Sequence, residues 1–83
     1  MSEAGHDLHH EFPTDAAVLH ELKLKNEHFR RLSDRHHDLT RDISRVESGL
    51  EAASDDRLEV LKKQRLTLLD EIAAMIAAHR KAA

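Results

Sequence analysis

Apolar side chains recur along this chain at spacings of three and four residues, beginning near residue 14. One set of positions, each seven residues from the next, is Leu22, Phe29, His36, Ile43 and Leu50. A second set, offset by three or four residues, is Val18, Lys25, Leu32, Leu39 and Val46. This heptad pattern predicts one long amphipathic helix over 14–48, whose seam contains two polar residues, Lys25 and His36.

A break in the pattern separates this helix from a second one. Gly49 can adopt the left-handed conformation that ends a helix, and Ser54 or Asp55 can cap the next helix. We therefore predict a turn over 49–55 and a helix over 56–80. The apolar stripe of this helix, which Leu69 and Ile76 widen, consists of Leu58, Leu61, Arg65, Leu68, Ile72, Met75 and His79.

Two amphipathic helices joined by a short connection pack as antiparallel neighbours. The predicted fold class is therefore all-α, an antiparallel two-helix hairpin of the coiled-coil type. The shorter second helix leaves residues 14–23 without a partner inside the hairpin. Because Val18, Leu19 and Leu22 lie in that overhang, we expect them to drive homo-oligomerisation into a dimer or a four-helix bundle.

The predicted interaction surface continues along the same seam to Phe29 and His36. An alternative stays open for the turn, because residues 51–53 favour helix. In that alternative one continuous helix would pass through the turn and pair with a second chain in an open or swapped dimer.

The first thirteen residues differ in composition from the rest, since they are polar and end at Pro13. This composition predicts a disordered, His-containing tail over 1–13 and a helical domain over 14–83. The tail lacks the basic flank and the apolar run of a signal peptide. No apolar stretch reaches the ~20 residues that a membrane span needs. We therefore expect a cytoplasmic protein without a membrane partner.

Charge and residue content narrow the function classes further. The chain has 83 residues with a net charge of −3, and its mixed charges make a nucleic-acid partner unlikely. It contains no cysteine, which excludes disulfides and thiolate metal sites. Its serines and threonines lie outside glycine-rich turns, and two rods form no concave pocket. The sequence therefore predicts neither an enzyme nor a cofactor.

Histidine is the most over-represented residue type, with eight copies in the chain. Zinc or nickel sites need several converging imidazoles, and within either predicted helix no two histidines are three or four residues apart. No metal site is therefore predicted. The residues that come nearest to one are His6, His9 and His10, in the tail.

His36 lies in the predicted seam between Leu32 and Leu39. One interpretation is a buried histidine that fixes helix register by bonding to Asp70 or Glu71. The other interpretation is a pH-sensitive switch, because histidine titrates near neutral pH. Burial would lower the pKa of His36 and a nearby carboxylate would raise it, so the sequence leaves the sign open.

Two motifs carry a family resemblance. The motif in the first helix contains Leu22, Lys23, Lys25, Asn26, His28, Phe29 and Leu32. The motif in the second helix, which is the more specific, contains Leu61, Lys62, Lys63, Arg65, Leu66, Leu68, Asp70 and Glu71. Over about residues 12–76 the chain resembles the YdcH-like family of small bacterial proteins.

The resemblance to the YdcH-like family implies a helical hairpin in the bacterial cytoplasm. It implies no activity and no catalytic residue, because that family is functionally uncharacterised. The chain departs from the family at Leu69, where relatives often carry lysine, and in its longer N-terminal extension.

These observations predict a non-catalytic interaction or adaptor module, acting through coiled-coil self-association or binding of a protein partner. The alternative from another class is a His-dependent metal-binding or pH-sensing protein. A helical nucleic-acid-associated protein is the third possibility, and the net negative charge disfavours it.

Overall fold

A computed structural model describes residues 8–82, and the regular elements in that range are all helical. Helix α1 spans Ala16–Lys25, α2 spans Glu27–Glu47 and α3 spans Asp55–Ala82. A short helical stretch over residues 8–11 precedes α1. The predicted all-α class is confirmed.

The boundary between α1 and α2 lies at Asn26, where the sequence predicts an uninterrupted helix over 14–48. The backbone of Asn26 is extended, with φ −124° and ψ 109°, and its N–H donates to the carbonyl of Leu22. Its side-chain Oδ1 accepts a hydrogen bond from the N–H of Phe29 at 2.9 Å. Asn26 therefore ends α1 and caps α2, so the structure has two helices in place of the predicted one.

The end of α2 is set by Gly49, which has a φ of +83°. The N–H of Leu50 donates to the carbonyl of Arg45 at 2.9 Å, and the N–H of Gly49 donates to Val46 at 3.2 Å. This pair of bonds is the Schellman motif, which favours glycine at the left-handed position. Leu50, which the heptad pattern places in the seam, is exposed beyond the end of the helix.

Helix α3 begins just after Ser54, as the sequence predicts. The Oγ of Ser54 accepts a hydrogen bond from the N–H of Arg57 at 3.1 Å, and its carbonyl accepts from Leu58 at 3.0 Å. Asp55 and Asp56 occupy the first turn, where carboxylates stabilise the positive end of the helix dipole. The chain does not continue as helix through residues 51–53.

Helices α2 and α3 pack along each other, with contacts in opposite sequence order. Near the turn, Lys62 Nζ lies 2.9 Å from Glu47 Oε2. Farther from the turn, His28 Nε2 lies 3.8 Å from Glu71 Oε1. The apolar residues between the helices form two clusters, and Leu68 borders both. The smaller cluster has Leu39, Ile43 and Leu61 at its centre. The buried members of the larger one are Leu8, Leu19, Leu22, Phe29, Leu32, Ile72 and Ile76.

Helix α1 packs against the C-terminal part of α3. Leu19 and Leu22 are only 3% and 6% exposed and belong to the larger cluster with Ile76. The carboxylate of Asp15, just before α1, pairs with the guanidinium of Arg80. The prediction that residues 14–23 have no partner within the chain is therefore wrong, because the break at Asn26 lets α1 pack against the end of α3.

The larger cluster also includes residues that precede α1. Leu8 is buried in it, and Phe12 packs against it half-buried. The predicted disorder of residues 1–13 therefore does not hold for residues 8–12, because their two large apolar side chains pack in the core. Residues 1–7 lie outside the described residues.

Candidate interaction surface

The residues predicted to form an interaction surface lie in the interior of one chain. Leu19, Leu22, Phe29 and His36 are buried, and Val18 is half-buried. Their side chains join α1, α2 and α3 to one another. In this conformation an accessible apolar surface must therefore lie elsewhere.

His36 is 1% exposed and lies on α2 between Leu32 of the larger cluster and Leu39 of the smaller one. Its burial agrees with the interpretation of a seam histidine. Glu71, one of the carboxylates expected opposite it, is half exposed and lies beside His28. Asp70 is exposed.

Other histidines are arranged differently from expectation. Folding about the predicted turn would bring His28 close to His79 across the hairpin, but His28 Nε2 lies 3.8 Å from Glu71 Oε1 instead. His79 is half-buried and lines a shallow groove with Val18 of α1. The difference arises because α1 lies beside His79, whereas the predicted hairpin leaves residues 14–23 without a partner.

The tail histidines do not form a site in the described part of the chain. His9 and His10 are exposed in the helical stretch over residues 8–11, and His6 lies outside the described residues. From residue 8 to residue 82, no three side chains of the metal-binding types come together in a group that could hold a metal ion.

The exposed large apolar residues are Leu24, Leu50, Val60 and Leu66. Two of these, Val60 and Leu66, lie on α3. The inner side of that helix already packs against α2 and α1, through residues such as Leu61, Ile72 and Ile76. Helix α3 is therefore apolar on more than one side, unlike a helix that only covers a core.

The second apolar side of α3 follows a seven-residue repeat. Positions seven residues apart lie on nearly the same side of a helix, because 3.6 residues complete a turn. We define the outer stripe as the exposed residues Glu59, Leu66, Ala73, Ala77 and Arg80. Leu66 is its largest apolar member, and 60% of this residue is exposed.

The charges at the two ends of α3 have opposite signs. Asp55 and Asp56 occupy its first turn, and Arg80 and Lys81 lie in its last turn. Glu59 extends the acidic end along the outer stripe. The outer stripe therefore begins at the acidic Glu59 and ends at the basic Arg80, with its apolar residues between them. Lys62, which lies on the same side of α3, pairs with Glu47 of α2.

The outer stripe was absent from the predicted site residues, although a signal for it exists. The strongest apolar repeat of the second helix lies on its inner side. Positions 59, 66, 73 and 80 form a weaker repeat, which contains one leucine and one alanine and is the signal for the outer stripe.

No helix within residues 8–82 combines the length and the apolar character that a membrane crossing needs.

The described residues define a small all-α protein with a packed interior and an apolar stripe on its longest helix. The family model described as "Protein of unknown function (DUF465)" matches residues 29–76, more than half of the chain. The chain belongs to this family. No curated protein and no solved structure matches it. The family match covers most of α2 and α3, including Leu66 and Ala73.

Proposed function

We propose that this protein is a non-catalytic interaction module that binds other helices through the outer stripe of α3. The observation that carries the proposal is the exposure of Leu66, at 60%, on a helix whose other side is already packed. A helix that is apolar on two sides is typical of a bundle in which both sides have neighbours. An exposed apolar stripe flanked by charges is a common form of protein-binding surface.

In this proposal α2 and α3 form an antiparallel hairpin that exposes the outer stripe, and α1 packs against the end of the hairpin that lies away from the turn. The ion pair Glu47–Lys62 supports the hairpin, and so does the approach of His28 Nε2 to within 3.8 Å of Glu71 Oε1. The likeness of the motifs to the YdcH-like family supports a bacterial cytoplasmic setting.

The environment of the polar core residues supports binding rather than catalysis. Ser33 and His36 lie three residues apart on one side of α2 and are the closest serine–histidine pair on that helix. Both are 1% exposed. Side chains enclosed to this degree cannot reach a substrate without unfolding of the helix packing. The surface that remains available for function is the helical exterior.

The test is affinity purification from the native cell with three tagged forms of the protein. These are the native chain, Leu66→Glu in the outer stripe, and Thr67→Glu as the matched control. Thr67 is also exposed on α3, but it lies about 100° around the helix from Leu66.

We expect some proteins to copurify with the native chain and with Thr67→Glu but not with Leu66→Glu. A second copy of the chain with a different tag counts among them. The same set of retained proteins for all three forms would contradict a binding role for the outer stripe.

A further inference from the structure

We propose that the outer stripe binds the outer stripe of a second copy of this chain in antiparallel orientation, with Leu66 of one copy facing Ala73 of the other. This inference rests on the function proposed above and names the partner of that same surface. It commits to a homodimer with a two-fold axis beside α3.

The spacing of the outer stripe is self-complementary. Positions 59 and 80, and positions 66 and 73, are symmetric about the point between residues 69 and 70. A two-fold axis at that point places Glu59 of one copy opposite Arg80 of the other, and Leu66 opposite Ala73. Each contact then occurs twice, as an isologous interface requires.

The paired side chains match in size and in charge. A leucine opposite an alanine lets two helices approach to the lower end of the usual range of about 8–10 Å. By the same symmetry Ala77 lies opposite Lys62 of the second copy, whose ammonium group already pairs with Glu47 of its own chain. Leu69 lies near the axis and is half-buried within one chain, so a second copy would cover the rest of its surface.

The charge pattern selects the antiparallel orientation. Asp55 and Asp56 at the start of α3 would lie near Arg80 and Lys81 of the second copy. A parallel pair would instead bring the acidic ends together and the basic ends together. The two helix dipoles are also opposed in the antiparallel pair, which is the favourable arrangement.

Arg80 can make this contact while it keeps its partner within the chain. Its guanidinium pairs with Asp15, yet more than half of the side chain, 55%, is exposed. A guanidinium has five N–H donors. The carboxylate of Asp15 therefore leaves donors for Glu59 of the second copy.

The chain contains no cysteine, so single cysteines test the register directly. Leu66→Cys and Ala73→Cys proteins are mixed and oxidised mildly. We expect the 66–73 disulfide to form in at least ~5-fold excess over the 66–66 disulfide. In the proposed register two copies of position 66 are seven residues apart along the helices, about 10 Å, which exceeds disulfide reach.

The Thr67→Cys protein is the matched control for random collisions, because Thr67 lies outside the stripe. Cross-linking that favours 66–66 and 73–73 would overturn the antiparallel register. Cross-linking at position 67 equal to that between 66 and 73 would overturn the stripe as the interface.

Sedimentation equilibrium tests the dimer without a cross-link. We expect the native chain to be dimeric and Leu66→Glu to raise the dissociation constant at least about 30-fold, the effect of losing a central interface residue. Leu24→Glu is the matched control, because Leu24 is 63% exposed but lies on α1. Circular dichroism confirms that both variants keep their helices.

A native chain that is monomeric at every concentration tested would overturn this inference. So would equal dissociation constants for the native chain and Leu66→Glu. Loss of cellular partners on Leu66→Glu together with a monomeric native chain would leave the proposed function standing and remove only the self-pairing. A native dimer that Leu66→Glu weakens and Leu24→Glu does not would support both.

Discussion

The guanidinium of Arg30 donates a hydrogen bond to the backbone carbonyl of Lys23 at 2.8 Å, so a side chain of α2 closes the last turn of α1. A longer bond of 3.4 Å reaches the carbonyl of Leu24. With Asn26, Arg30 holds the corner between the two helices. This corner brings Leu19 and Leu22 into the core and leaves the outer stripe of α3 as an exposed apolar surface.

Replacing Asn26 with alanine should destabilise this corner. The substitution removes the side-chain acceptor for the N–H of Phe29, and loss of a helix cap costs about 1 kcal/mol. The free energy of unfolding from urea titration measures the effect. Asn26→Asp retains an acceptor and is the control, so equal destabilisation by the two variants would contradict the capping role.

Replacing Gly49 with alanine should destabilise the turn by about 1–2 kcal/mol, the cost of a left-handed backbone in a residue with a Cβ. An added Cβ would meet no atom within 4 Å, so the cost comes from the backbone conformation alone. Gly49→Asn should cost less, because asparagine tolerates this conformation better. Equal melting temperatures for the native chain and the two variants would contradict the assignment of Gly49 as the residue that ends α2.

The turn could be predicted from the sequence because its chemistry is local. Gly49 and Ser54 each act on backbone groups within a few residues of themselves. The break at Asn26 was missed because Leu22 and Phe29, on either side of it, keep the seven-residue repeat. The local signal was present, since asparagine followed by Glu27 is typical of a helix start.

The placement of the apolar residues could be predicted only in part. Helical periodicity separates Leu68 from Leu66: Leu68 belongs to the predicted stripe and packs against both clusters, and Leu66 lies outside that stripe and is exposed. Periodicity does not predict the burial of Leu19 and Leu22, which depends on where α1 lies against α3. The position of α1 depends on the break at Asn26, which the seven-residue repeat does not predict.

Replacing Leu8 with alanine should destabilise the protein by about 2 kcal/mol, the lower range for a buried leucine. Leu8 is 2% exposed in the larger cluster, although it belongs to the segment predicted to be disordered. His9→Ala is the control, since His9 is exposed on the same helical stretch. Equal and small changes in the free energy of unfolding for both variants would show that the segment does not pack on the core.

Replacing His36 with leucine should change how stability varies between pH 5 and pH 8. The imidazole is 1% exposed in the folded chain and surrounded by water in the unfolded chain, so proton binding is linked to folding. Parallel stability curves for native protein and His36→Leu would contradict the linkage.

The most direct test of the outer stripe is a photoreactive residue at position 66 in living cells. The benzophenone side chain of p-benzoylphenylalanine replaces Leu66 in one strain and Gln64, exposed on another side of α3, in the control strain. We expect a specific cross-linked product from position 66 and little or none from position 64. No product from position 66, or equal products from both positions, would contradict binding through the outer stripe.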